Sequence, residues 1–104
     1  MDKNITQVVI VEDHKLFREG LKALLSDKGD LAVVGEAGDG LAAIRTVKRC
    51  RPDMILLDLS MPKMNGISVM KEIKNQFPEI KIMALTIHDS DQYVLEAFEA
   101  GADG

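Results

Sequence analysis

The sequence predicts an α/β domain built on a doubly wound parallel sheet. Two observations carry that prediction: four short apolar runs that are nearly continuous, and longer amphipathic stretches between them at helical spacing. Continuous Val, Ile and Leu runs are what strands buried on both faces look like. Strict alternation of strand and helix implies crossovers between parallel neighbours. The expected order is β-α-β-α-β-α-β-α, with helices on both faces of the sheet.

The expected strands are Gln7–Val11, Leu31–Gly35, Met54–Leu57 and Ile80–Thr86. The first helix, Leu16–Leu25, places Phe17, Leu21, Leu24 and Leu25 on one face. The second, Leu41–Lys48, does so with Leu41, Ile44 and Val47; the third, Ile67–Phe77, with Ile67, Met70, Ile73 and Phe77. The fourth, Tyr93–Ala100, carries Val94, Leu95 and Phe98. Gly29 stands where a helix stop is expected. Asp39-Gly40, Asn65-Gly66 and Asp89-Ser90 offer capping oxygens to the later helices. Pro62 and Pro78 fall in connections, where a missing backbone donor does little harm. Met54, Met70 and Met83 read as core; Met61 and Met64 read as lining the loop after Asp58.

Composition narrows the function. The chain has 104 residues, 13 Lys+Arg against 17 Asp+Glu, and a net charge of -4, which suits one compact domain and disfavours autonomous binding to a phosphate backbone. The short Lys48-Arg49-Arg51 stretch reads as a solvated helix end. No run approaches the roughly 18 apolar residues of a membrane span. The start, Met1-Asp2-Lys3-Asn4, lacks a signal-peptide layout. Cys50 alone forms no internal disulfide and no zinc cluster, so a cytoplasmic setting is expected.

Parallel α/β sheets bind ligands at the carboxyl ends of their strands. The first run ends in Glu12-Asp13 and the third in Asp58. First and third strands are neighbours in a doubly wound sheet, so three carboxylates converge. Like charges that close raise one another's pKa, and a cation relieves them. An all-oxygen set points to Mg2+ or Mn2+ rather than zinc. The bland alternative is a set of solvated acids, with Asp13 capping the first helix. Thr86 ends the fourth run and offers a hydroxyl to an anionic oxygen, or is simply a β-branched strand end. The Ser60 carbonyl, in the turn-rich Asp58–Gly66 connection, is a further oxygen for the ion. A nucleophilic oxygen, a divalent ion and nearby donors are what phosphoryl transfer needs. Asp58 is the expected nucleophile, forming an acyl phosphate. His14, His88 and Lys63 read as surface loop residues.

These residues carry a resemblance. VVIVEDHKLFREGL (Val8–Leu21), PDMILLDLSMPKMNG (Pro52–Gly66) and IMALTIHDSDQYVLEAFEAGADG (Ile82–Gly104) resemble the receiver domain of a bacterial two-component response regulator. The first and last are most similar to receivers of NarL/LuxR-type transcription regulators. The resemblance implies a flavodoxin-like fold and a conformational switch rather than a turnover enzyme. It implies that Asp58 accepts a phosphoryl group from a sensor kinase phosphohistidine. Asp13 and Asp58 would ligate Mg2+ directly, Glu12 through water, and the Ser60 carbonyl would complete the protein ligands. Thr86 would report the phosphate to the fourth helix.

The chain departs from the family pattern at its C-terminal side. The fifth strand with its lysine, the fifth helix and the DNA-binding output domain are expected to be absent, so residues 1–104 read as a C-terminally truncated receiver touching DNA only through an output domain it lacks. An open edge on the fourth strand would then favour a homodimer or a swapped assembly. Two competing classes are a flavin-type mononucleotide binder and a receiver-like module that no longer takes phosphate. The first wants a hydroxyl- or Gly-rich loop where Glu12-Asp13 stands; the second is opposed by the retained Asp13 and Asp58.

Overall fold

The computed structural model describes residues 5–59, 65–85 and 91–104, except the side chains of Asp91 and Tyr93. The elements run β1 (Thr6–Val11), α1 (Lys15–Ser26), β2 (Leu31–Ala37), α2 (Gly40–Cys50), β3 (Met54–Asp58), α3 (Gly66–Gln76), β4 (Lys81–Leu85) and α4 (Asp91–Ala100). All strand pairs are parallel, in the order β2-β1-β3-β4. That is the doubly wound sheet the apolar runs predict, with β1 and β3 adjacent at its centre.

Period-two alternation divides the sheet's side chains between two faces. Val9 and Val11 of β1, Ile55 and Leu57 of β3 and Ile82 of β4 join one buried cluster with Val47 of α2, Met70 and Ile73 of α3, and Ala97 and Ala100 of α4. Each fully buried branched residue contributes on the order of 1.5–3 kcal/mol. Val8 and Ile10 point to the other face, where α1 packs on β1 and β2. No residue of α1 is fully buried; Phe17 is 51% and Leu24 67% exposed. The expected inward face of α1 therefore closes only partly, because a single described helix covers that side. Met83 of β4 and Leu41 of α2, both expected inside, are exposed.

Local signals set the helix ends. Asp39 caps α2 by accepting from the Ala42 amide, and Asn65 caps α3 by accepting from Ser68, as their side chains predict. The Asp89-Ser90 pair lies outside the described residues. Gly29 does not act as a left-handed stop: α1 ends at Asp27 in right-handed geometry, and the left-handed residue is Arg51 after α2, at φ 46°.

The outer edge of β4 differs from the open edge the sequence predicts. Gly101, at φ 123°, turns the chain out of α4 and back to the sheet. The Asp103 amide donates to the Ile82 carbonyl at 2.8 Å and the Ala84 amide to the Gly104 carbonyl at 2.9 Å. The Asp103 carboxylate accepts from the Ile82 amide at 2.9 Å and pairs with Lys74 of α3 at 2.8 Å. These bonds satisfy backbone groups that a bare edge would leave to solvent.

Candidate functional site

The β1–β3 register aligns Val11 with Leu57, so Glu12 and Asp58 occupy neighbouring strand tips. The Glu12 amide donates to the Ala37 carbonyl at 2.9 Å, which fixes the β1 tip to β2. On the other side, the Leu59 amide donates to the Leu85 carbonyl at 2.8 Å and fixes the chain just past Asp58. The sheet thus holds the backbone of both acidic segments before any side chain takes part.

One carboxylate oxygen each of Glu12, Asp13 and Asp58 lies within 4.8 Å of the others. The three differ in setting: Glu12 is buried, Asp58 half-buried and Asp13 exposed. Glu12 Oε2 accepts from the His14 amide at 3.0 Å. Its Oε1 is buried with no hydrogen-bond partner. Burial raises the Glu12 pKa to about 7, and the neighbouring Asp58 carboxylate adds to the rise. Like charges this close, one of them out of water, disfavour ionisation of the buried one, and the raised Glu12 pKa expresses that cost.

A buried, unpartnered anionic oxygen beside two more carboxylates fits a hard cation. The donor set is all oxygen, with no histidine or cysteine among the clustered side chains. Glu12, Asp13 and Asp58, which the sequence brings to one edge, are therefore brought together by the fold. Ser60 and Thr86 lie outside the described residues, as do His88, Met61, Lys63 and Met64.

Two contributors were not read from the sequence. His14 caps α1, its Nδ1 accepting from the Phe17 amide at 3.4 Å, while its own amide holds Glu12. A histidine at the start of a helix carries a weak capping signal beside the usual Ser, Thr, Asp or Asn. Arg18, three residues into α1, reaches back to the Glu12 carbonyl at 2.6 Å. Its only sequence signal is a cation one turn after an acidic strand end.

Comparison with known proteins adds to this geometry. The response regulator receiver domain profile matches residues 8–104. The transcriptional regulatory protein DegU of Brevibacillus brevis is 38% identical over 104 residues, covering 100% of this chain and 44% of that protein. The chain spans about half the length of the curated relatives it matches. A LuxR-family two-component response regulator from Aurantimonas sp. SI85-9A1 superposes with a TM-score of 0.91 at 34% identity, over 96% of this chain and 71% of that one. The signal receiver domain of a response regulator assigned as NarL in Mycobacterium tuberculosis superposes at 0.89 with 38% identity, over 96% of this chain and 81% of that one. A sheet in the order β2-β1-β3-β4, three carboxylates at its central strand tips and a profile match over nearly the whole length agree: the chain belongs to the response regulator receiver domains, of the type found in LuxR/NarL regulators.

Proposed function

We propose that Asp58 is the phospho-acceptor of this receiver, and that Glu12, Asp13 and Asp58 hold a divalent cation, Mg2+ or Mn2+, beside it. The observation that carries the proposal is a cluster of three carboxylates from two strand tips, one of which, Glu12, has a buried oxygen with no hydrogen-bond partner. A cation bound there would neutralise charge as a dianionic phosphoryl group approaches an anionic site.

The protein's own part begins with Asp58. One of its carboxylate oxygens attacks the phosphorus of a phosphohistidine on a sensor kinase. A P–O bond forms, the P–N bond breaks, and imidazole leaves with the electron pair. Half-burial of Asp58 leaves it accessible to a donor side chain, while the Leu59–Leu85 bond fixes the backbone next to it. Hydrolysis of the acyl phosphate by water restores the carboxylate. The Ser60 carbonyl is assigned as a further cation ligand and Thr86 as the hydroxyl that senses the phosphate. The phosphate then acts by differential contacts with two conformations.

The proposal extends to the protein's setting. The sensor kinase is the partner, the location is cytoplasmic, and DNA is engaged through a separate output domain. Self-association as a homodimer or swapped assembly belongs to it too, and sedimentation as a monomer at all accessible concentrations would refute that part. Among the described residues no helix is long and apolar enough to cross a membrane.

The test is labelling with a small phosphodonor and Mg2+, followed by hydroxylamine, which cleaves acyl phosphates. Wild type gains hydroxylamine-sensitive phosphate; Asp58→Asn loses at least about tenfold of it, because an amide is not a competent nucleophile. Equal labelling of the variant overturns the assignment.

A further inference from the structure

Arg18 makes contacts that solvation of a surface charge does not require. Its side chain is only 18% exposed. Nη1 donates to the Glu12 carbonyl at 2.6 Å, and Nε donates to Glu36 Oε1 on β2 at 3.1 Å. The other Glu36 oxygen pairs with Lys22, one turn further along α1, at 2.9 Å. Lys22 and then Arg18 hold the Glu36 carboxyl below its ordinary range, against the opposing effect of burial. The guanidinium is thus anchored to β2 on one side, and its planar fork aims an Nη1 donor at the β1 tip.

Glu12 is held at each polar atom but one. Its amide bonds Ala37, its carbonyl takes Arg18, and its Oε2 takes the His14 amide. Only Oε1 has no partner, and the Glu12 carboxylate belongs to the acidic cluster. The Glu12 carbonyl belongs to the peptide plane that joins Glu12 to Asp13. Fixing that carbonyl fixes the plane, and with it the direction in which both side chains leave the backbone.

We infer that Arg18 is a positioning residue for the acidic site: anchored by Glu36, it clamps the Glu12–Asp13 peptide so that both carboxylates enter one cluster with Asp58. The inference rests on the reading of that cluster as a cation site, and it adds a residue from outside the cluster to the machinery. The plainer account is that Arg18, Glu36 and Lys22 merely tie α1 to β2. On that account, losing either cation has the same consequence.

The test compares Arg18→Met with Lys22→Met, because both remove a tie to Glu36 but only the first removes the bond to Glu12. The metal-free readout is the Asp13 amide 15N resonance, which reports the hydrogen bond on the preceding carbonyl. The second readout is the Mg2+ dissociation constant, measured well below each melting temperature. Arg18→Met is expected to move the Asp13 resonance and weaken Mg2+ binding roughly tenfold, as loss of outer-shell support does. Lys22→Met is expected to leave the resonance in place and affinity within about twofold, as for an exposed pair. If Arg18→Met melts too low, Arg18→Gln replaces it with the same expected direction. Wild-type Mg2+ affinity in the arginine variant, or equal effects of both variants, overturns the inference. Absence of saturable Mg2+ binding in the wild type overturns the cation reading instead, and an unmoved Asp13 resonance then overturns the clamp as well.

Discussion

Glu12 is 2% exposed, and its Oε1 lacks a donor while its other polar atoms are bonded. An ionised carboxylate in that setting is costly, which is why burial and then Asp58 raise its pKa from 4.5 to about 7. The folded state then binds the proton more tightly than the unfolded chain does. This contribution to stability is fully present below about pH 4.5 and is lost as pH rises through about 7. Glu12→Gln should therefore make the metal-free chain more stable at pH 8, by on the order of 1–3 kcal/mol, and flatten its stability between those pH values. Urea melts across that range check it; an unchanged profile contradicts the burial argument. At this scale Glu12, Asp13 and Asp58 were legible because each directly follows or ends an apolar run. The bonds that hold Glu12, from Arg18 to its carbonyl and from the His14 amide to its Oε2, were not, because neither letter announces them.

Leu59, just past β3, packs closely against the first residue of α3. A Cβ on Gly66 would lie 2.7 Å from Leu59 Cδ2 and 3.1 Å from Leu59 Cα, so the start of α3 rests almost on backbone next to Asp58. Gly66→Ala must push one of them away and should cost about 1–3 kcal/mol. Gly20, inside α1, meets nothing within 4 Å, so Gly20→Ala should instead stabilise by about 0.5–1 kcal/mol through helix propensity. Denaturant midpoints of the pair check this; loss of stability in both would contradict it. Among the elements, the strands were readable as buried runs, and α2 and α3 from Asp39 and Asn65. The inner face of α1 was over-read, since Phe17 and Leu24 have the right spacing but little to pack against. The turn at Arg51 was missed because a left-handed arginine has no compositional signature.

Across the molecule, Lys74 and Asp103 join α3, β4 and the segment after α4. Lys74 first, then the Ile82 amide, lowers the Asp103 pKa from 3.8. A depressed carboxyl stabilises the fold above its unfolded pKa and loses that contribution as pH falls through the lower folded value. Asp103→Asn should be less stable than wild type at neutral pH, with the gap narrowing below about pH 4. A gap independent of pH in thermal melts would contradict the ion-pair account. This long-range contact was not legible in sequence, where Asp103 follows a helix-ending Ala-Gly-Ala and Lys74 sits on a charged helix face.

The central claim is that the fold brings Glu12, Asp13 and Asp58 to one site able to hold a hard cation. Titration of the metal-free chain with Mg2+, followed by amide chemical shifts, tests it most directly. Saturable shifts centred on Glu12, Asp13 and Asp58, lost in Asp13→Asn, are the predicted result. Shifts centred elsewhere, or unaltered by that substitution, would contradict it.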